Sequence, residues 1–326
     1  MGAGSWGTAF SQVLADAGHD ITLWGRTDAV VAGINEVHRN DRYLPGIVLP
    51  SGIVADADPQ RTLTGADLVV LAVPSQTLRE NLHAWGAAIP RRTPVLSLLK
   101  GLELQTGERM SEVVTEAAQV DPRLVAVLSG PNLSREIAER QPAATVVACV
   151  DEDVARVAQQ ACSTPYFRPY TNTDVVGVEL GGVVKNVIAM ATGIADGMGF
   201  GDNSKASIIT RGLAEMTRLG VAMGADPLTF AGLAGIGDLV ATCMSPLSRN
   251  RTFGENLGRG MTVAEVVAIT SQTAEGVASC RAVLSLAQEH GVSAPITEHV
   301  VAVVHQGMSP HDMARSIMSR ATRPEW

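Results

Sequence analysis

"MGAGSWGTAF", residues 1–10, decides how the whole chain is read. Gly2, Gly4 and Gly7 have the G-x-G-x-x-G spacing of a turn that holds a dinucleotide pyrophosphate. The first glycine permits the bend, the second lets the backbone approach the phosphates, and the third lets helix and strand pack closely. The amphipathic stretch from Ser5 to Ala17 continues as a helix whose free N–H groups aim at those phosphates. It leads to "DITLW" (20–24), a short apolar strand. A buried strand ordinarily precedes such a turn, and here only Met1 does. The expectation is a misplaced start: an internal valine codon read as initiator, with several apolar residues before Met1 in the natural protein.

Outward from the turn, "ADLVVLAVP" (66–74), "TPVLSLLKG" (93–101), "LVAVLSGP" (124–131) and "AATVVACV" (143–150) alternate with helical segments. Near-continuous apolar strands separated by helices mean a mostly parallel sheet covered on both faces. The fold class is α/β, a Rossmann-type doubly wound parallel sheet with its first strand apparently missing. After about Thr171 the strand signals fade. The segment 174–197 reads as a buried helix, and helical patterns continue at 204–223, 249–258, 262–269, 275–290 and 309–319. Two domains result: 1–170 for the dinucleotide and 171–326, all helical, for substrate and catalysis.

Composition narrows the partners. The 326 residues are 46% hydrophobic, enough for a large core, and a net charge of −8 argues against nucleic acid. Cys149, Cys162, Cys243 and Cys280 have neither metal-ligand nor disulfide-framework spacing, so they read as core thiols and no metal is expected. No uninterrupted apolar run approaches the roughly 20 residues that span a bilayer, and no leader pattern opens the chain. A cytoplasmic protein without membrane insertion is the expectation.

Where the second strand of such a fold ends, an acidic residue would bind the ribose hydroxyls of NAD. This chain has Arg26 there, which suits a 2′-phosphate and favours NADP(H). Only three of the 25 basic residues are lysine: Lys100, Lys185 and Lys205. A lysine, unlike an arginine, can exchange a proton near neutral pH. Lys100 follows one apolar strand, and Gly130 and Asn132 follow the next, at the ligand-facing edge of the sheet. Lys185 lies inside the apolar helix, where a charge needs a partner. Gly181 and Gly182 form a notch beside it that could admit a substrate carbonyl, with Asn186 adjacent. "AGIGDLVATC" places Asp238 one turn before Thr242, and "SPLSRNRTFG" offers Ser248 as a helix cap before Arg249 and Asn250. That helix start is suited to a phosphate. Plainer readings stand beside these: a loop arginine, a turn glycine, a snorkelling lysine and capped helix starts.

"GAGSWGTAF" (2–10), "VPSQ" (73–76), "KGLE" (100–103), "SGPN" (129–132), "VVKNV" (183–187), "GIGDL" (235–239), "SRNR" (248–251) and "AEGV" (274–277) resemble one family in order and spacing. That family is the bacterial NAD(P)-dependent glycerol-3-phosphate dehydrogenases. The resemblance implies a homodimeric oxidoreductase that converts dihydroxyacetone phosphate to sn-glycerol 3-phosphate for phospholipid synthesis, using NADPH or NADH. It implies that Ser5, Trp6, Arg26, Ser134, Thr273 and Glu275 contact the cofactor, and that Lys100 touches both cofactor and substrate. It also puts Gly130, Asn132, Asp238, Ser248, Arg249 and Asn250 around the substrate, Arg249 reaching the cofactor too, with Lys185 as general acid/base; Asn186, beside Lys185, could orient the same substrate. "GPNLSRE" (130–136) stands where "GPSFAKE" is usual, so Ser134 adds a hydroxyl and Asn132 keeps a donor for phosphate. Two other readings compete: a related NAD(P)-dependent hydroxyacid dehydrogenase, or a truncated, inactive cofactor-binding paralogue.

Overall fold

Short Val- and Leu-rich strands alternate with helices as far as Asn172 in the computed structural model, which describes residues 1–270 and 274–319. The strands are β1 (Ile21–Trp24), β2 (Ile53–Asp56), β3 (Val69–Leu71), β4 (Val95–Ser97), β5 (Val125–Ser129), β6 (Ala143–Ala148) and β7 (Phe167–Asn172). Among them run α1 (Ser5–Asp16), α2 (Asp28–Val37), α3 (Pro59–Leu63), α4 (Leu78–Trp85), α5 (Met110–Ala118), α6 (Ser134–Ala138) and α7 (Glu152–Ala161). Strands β3 to β7 pair in chain order, all parallel except β5 with β6, while β1 and β2 pair in parallel as a separate sheet. Alternate side chains serve opposite faces. Val95 and Val125 pack with Leu78, Leu82 and Val113, whereas Leu96 and Ala126 pack with Phe10, Val13 and Ala158. This two-sided burial makes the strands read as continuous apolar runs.

Met1 and Gly2 lie between the two sheets. The Met1 nitrogen donates to the Val70 carbonyl at 2.6 Å, Ala72 donates to the Met1 carbonyl at 2.8 Å, and Gly2 donates to the Trp24 carbonyl at 3.3 Å. Gly2 then turns the chain into α1 at φ 116°, where a Cβ would sit 2.7 Å from the Ala72 carbonyl oxygen. A Cβ on Gly7 would come 2.0 Å from the Gly2 carbonyl oxygen, so the helix's first turns close directly over the bend.

The helical half comprises α8 (Val175–Gly197), α9 (Asp202–Ala222), α10 (Pro227–Phe230), α11 (Asp238–Met244) and α12 (Arg249–Gly258). It continues with α13 (Val263–Ile269), α14 (Glu275–Glu289), α15 (Pro295–Gln306) and α16 (Pro310–Met318). Two apolar stretches, Val175–Gly197 and Pro227–Met244, are long and apolar enough to cross a membrane, at mean hydropathy 1.5 and 1.4. Charged residues interrupt both, Glu179, Lys185 and Asp196 in the first and Asp238 in the second, so neither is an uninterrupted apolar run. The apolarity of α8 is spent on neighbouring helices, since 94% of its most apolar window is buried. Glycines bring α12 onto α8 at backbone distance. A Cβ on Gly193 would lie 2.0 Å from the Arg251 carbonyl oxygen, and one on Gly254 would lie 2.1 Å from that of Met190. Arg251 of α12 also pairs with Asp196 of α8. This contact fixes the start of α12 relative to Lys185.

Glu215 of α9 caps α15 from outside, accepting N–H bonds from Ile296 at 2.7 Å and Thr297 at 3.3 Å. Burial pushes its carboxyl up to about 7 from an ordinary 4.5, with the two N–H bonds opposing. The folded chain therefore binds this proton more tightly than the unfolded chain, and stability falls as pH rises from about 4.5 to about 7. Glu215→Gln is expected to remove that slope, worth about 3 kcal/mol at full effect. Melting temperatures of both proteins across the window check it, and parallel pH dependences would refute it.

Candidate active site

The carboxyl ends of β1, β3, β4 and β5 open onto a cleft of about 870 Å³ shared with the helical half. At one end lies the glycine turn. Gly2, Gly4, Ser5 and Trp6 line the wall, while Gly7 packs behind it. A Cβ on Gly4 would meet nothing within 4 Å, so the backbone there is bare toward the cleft, as a pyrophosphate requires. The Ser5 and Ser134 hydroxyls are 2.8 Å apart and join the starts of α1 and α6. Trp6 Nε1 is buried without a hydrogen-bond partner among the described residues. Arg26 is exposed at the end of β1, on the same wall. The bare backbone, the open helix start and the unpaired indole N–H fit a dinucleotide.

The other end is built around Asp238. This residue opens α11 after a single wide turn at Leu233–Gly237, and it is 1% exposed. Lys100, just beyond β4, donates from Nζ to Asp238 Oδ2 at 2.7 Å and to the Gly130 carbonyl at 2.9 Å. Lys185 of α8 donates to Asp238 Oδ1 at 2.6 Å and to Thr242 Oγ1 at 2.9 Å. Burial opposes ionisation of Asp238, but the two lysines outweigh it and hold its carboxyl below the usual range. Burial pushes the Lys100 ammonium down to about 8, Asp238 opposing and Lys185 assisting. The pair is thus two cations on one anion, with a proton on Lys100 held loosely enough to titrate near neutral pH.

Amide bonds tie this end together. Asn186 donates toward the Lys100 carbonyl at 3.4 Å and accepts from Asn250 at 2.9 Å, and Asn250 accepts from the Gly276 N–H at 2.9 Å. Ser248 caps α12 by accepting from the Arg251 N–H at 3.3 Å. Arg249 is exposed and lines the cleft together with Glu275. Partial burial raises the Glu275 carboxyl, with Arg249, Lys185 and Lys100 opposing. Lys100, Lys185 and Arg249 thus bring three basic side chains to this end of the cleft, against the carboxyl groups of Asp238 and Glu275.

Family models described as NAD-dependent glycerol-3-phosphate dehydrogenase N-terminus and C-terminus match residues 1–155 and 174–315. The chain belongs to this dehydrogenase family. It is 63% identical over 325 residues to a glycerol-3-phosphate dehydrogenase [NAD(P)+] of Streptomyces griseus, covering 100% of this chain and 97% of the relative. It is 60% identical over 326 residues to the Thermobifida fusca enzyme of the same description, with the same coverage. The crystal structure of glycerol-3-phosphate dehydrogenase from Coxiella burnetii superposes with a TM-score of 0.93 at 37% identity, over 98% of this chain and 97% of that one.

Within the dehydrogenase site, some sequence expectations change. The notch at Gly181 and Gly182 admits the protein's own chain. A Cβ on Gly181 would meet the Ala234 carbonyl oxygen at 2.3 Å, and one on Gly182 would meet Ser129 Oγ at 2.7 Å and Lys100 Cγ at 3.3 Å. Asp238 and Gly130 sit behind the lysines rather than on the wall. Asn132 donates its amide to Thr145 at 3.0 Å, and its Oδ1 is buried without a partner among the described residues. The second N–H of that amide remains as a donor beyond the bond to Thr145. Thr273 lies outside the described residues. Sequence reasoning missed the loop at Arg42 and Tyr43, which lines the cleft without any periodic signal.

Proposed function

We infer that this cleft reduces dihydroxyacetone phosphate to sn-glycerol 3-phosphate with NADPH or NADH, Lys185 giving the proton. The observation that carries the reading is the convergence of two lysines on one buried carboxylate, at the far end of a cleft that begins in a dinucleotide turn. When bound, the reduced nicotinamide supplies the hydride for C2 of the substrate. Gly2, Gly4, Ser5, Trp6, Arg26 and Ser134 hold the dinucleotide. The Lys185 ammonium protonates the alkoxide that forms at C2, and Asp238 orients it. Lys100 holds a positive charge beside the same oxygen, which lowers the cost of the developing anion. Arg249 and the start of α12 hold the phosphate, so remote binding energy sets the carbonyl in place. Four buried, free cysteines support a reducing, cytoplasmic setting.

The test is oxidation of NADPH by the purified protein, followed with dihydroxyacetone phosphate and with 2-oxo acids in parallel. Turnover that depends on dihydroxyacetone phosphate is expected. Turnover with a 2-oxo acid alone would favour a hydroxyacid dehydrogenase, and none with either would favour a non-catalytic paralogue.

A further inference from the structure

The adenosine end of the cleft carries a second guanidinium. Arg42 lies in the loop from α2 to β2, lines the cleft with Arg26, and stacks over Tyr43 with its guanidinium carbon 5.3 Å from the ring centroid. The loop is anchored on both sides. Asn40, 3% exposed, donates to the Ala3 carbonyl at 2.9 Å and to Thr8 Oγ1 at 2.8 Å, which ties it to the glycine turn and α1. Arg135 of α6 donates to the Pro45 carbonyl at 3.0 Å from across the cleft. Between these anchors the N–H groups of Tyr43 and Leu44 bond back to the Asn40 carbonyl, and Leu44 is buried. Arg42 therefore stands on an anchored loop, its guanidinium over an aromatic ring.

A ribose 2′,3′-diol is recognised by a carboxylate at the end of the second strand. Among the described residues lining this cleft the one carboxylate is Glu275, which faces the lysines at the opposite end. The adenosine end instead presents Arg26 and Arg42. Guanidinium groups offer only donors, in a fork that matches phosphate oxygens.

We propose that Arg42, seated on Tyr43, joins Arg26 in a two-arginine clamp on the 2′-phosphate of NADPH, so that the chain selects the phosphorylated dinucleotide over NADH. This rests on the cleft being the dinucleotide site. Trp6 and Trp24 line it, so tryptophan fluorescence reports binding without turnover. The unmodified protein is titrated with NADPH and NADH, and with adenosine 2′,5′-bisphosphate and adenosine 5′-phosphate as competitors. Tighter binding of NADPH, and stronger competition by the bisphosphate, are expected. Arg42→Ala and Arg42→Gln are each expected to raise the ratio of the NADPH Kd to the NADH Kd about tenfold, the loss of one charge-assisted bond. Arg42 is exposed, and both loop anchors survive its replacement. An unchanged ratio in both variants, or equal competition by the two adenosine probes, would overturn the clamp alone. Binding of neither dinucleotide would overturn the cofactor site and the clamp with it.

Discussion

Lys185→Met is expected to lower kcat for dihydroxyacetone phosphate reduction by about 10²- to 10⁴-fold, the usual contribution of a positioned general acid. Methionine keeps the length and apolar stem of the lysine within α8 and removes only the ammonium. Asp238 keeps Lys100 at 2.7 Å, so the carboxylate is not left without a cation. The fold should survive, and the dinucleotide turn lies at the other end of the cleft, so NADPH should still bind. The loss then appears in kcat far more than in the Kd for NADPH, which separates a missing proton donor from a collapsed site. Steady-state turnover and fluorescence titration give the two numbers. A kcat within threefold of the unmodified enzyme would remove Lys185 from the proton-transfer role and turn attention to Lys100.

Much of this arrangement is legible in the sequence because burial leaves a local mark. Strands covered on both faces give runs such as "LVAVLS", and a helix buried all round gives the apolar stretch that carries Lys185. Other features leave none. β2 is only four residues ending in Asp56, and the edge strand β7 is of mixed polarity and contains Pro169, so neither shows a long apolar run. The antiparallel direction of β6 is set by how the chain returns after α6, which apolar content does not encode. The glycines at 181 and 182 announce a close approach but not what approaches. The contact of Asp238 with Lys100 joins residues 138 positions apart, and that with Lys185 joins residues 53 apart. Each residue could be singled out, but only the packing of α8 and α11 against the sheet shows one carboxylate between two ammonium groups. Arg42 is the opposite case. An exposed charged residue in an irregular loop has no pattern to betray it, and its position follows from the anchors at Asn40 and Arg135.

The packing makes Asp238 the residue on which the rest of the site's electrostatics depend, and Asp238→Asn should show it. The replacement keeps the volume but removes the one anion shared by two ammonium groups, and breaking such a buried pair ordinarily costs about 3–5 kcal/mol. A lower melting temperature and a loss of kcat/KM by at least about 100-fold are therefore expected. A merely structural role would give the same two results, so the pH profile decides. In the unmodified protein Lys100 holds its proton up to about 8, and the Asp238 charge is the main influence keeping it on against burial. On the proposed mechanism reduction uses the charged form of Lys100, so activity is expected to decline as pH rises through that value. Without Asp238 the proton leaves Lys100 more readily, and the alkaline limb of kcat/KM must move to lower pH. Asp238→Glu restores the charge without the same geometry, so it should bring the limb back toward 8 while turnover stays reduced. If Asp238→Asn loses activity with its alkaline limb unmoved, the carboxylate is scaffolding, and the charge logic of the lysine pair is wrong.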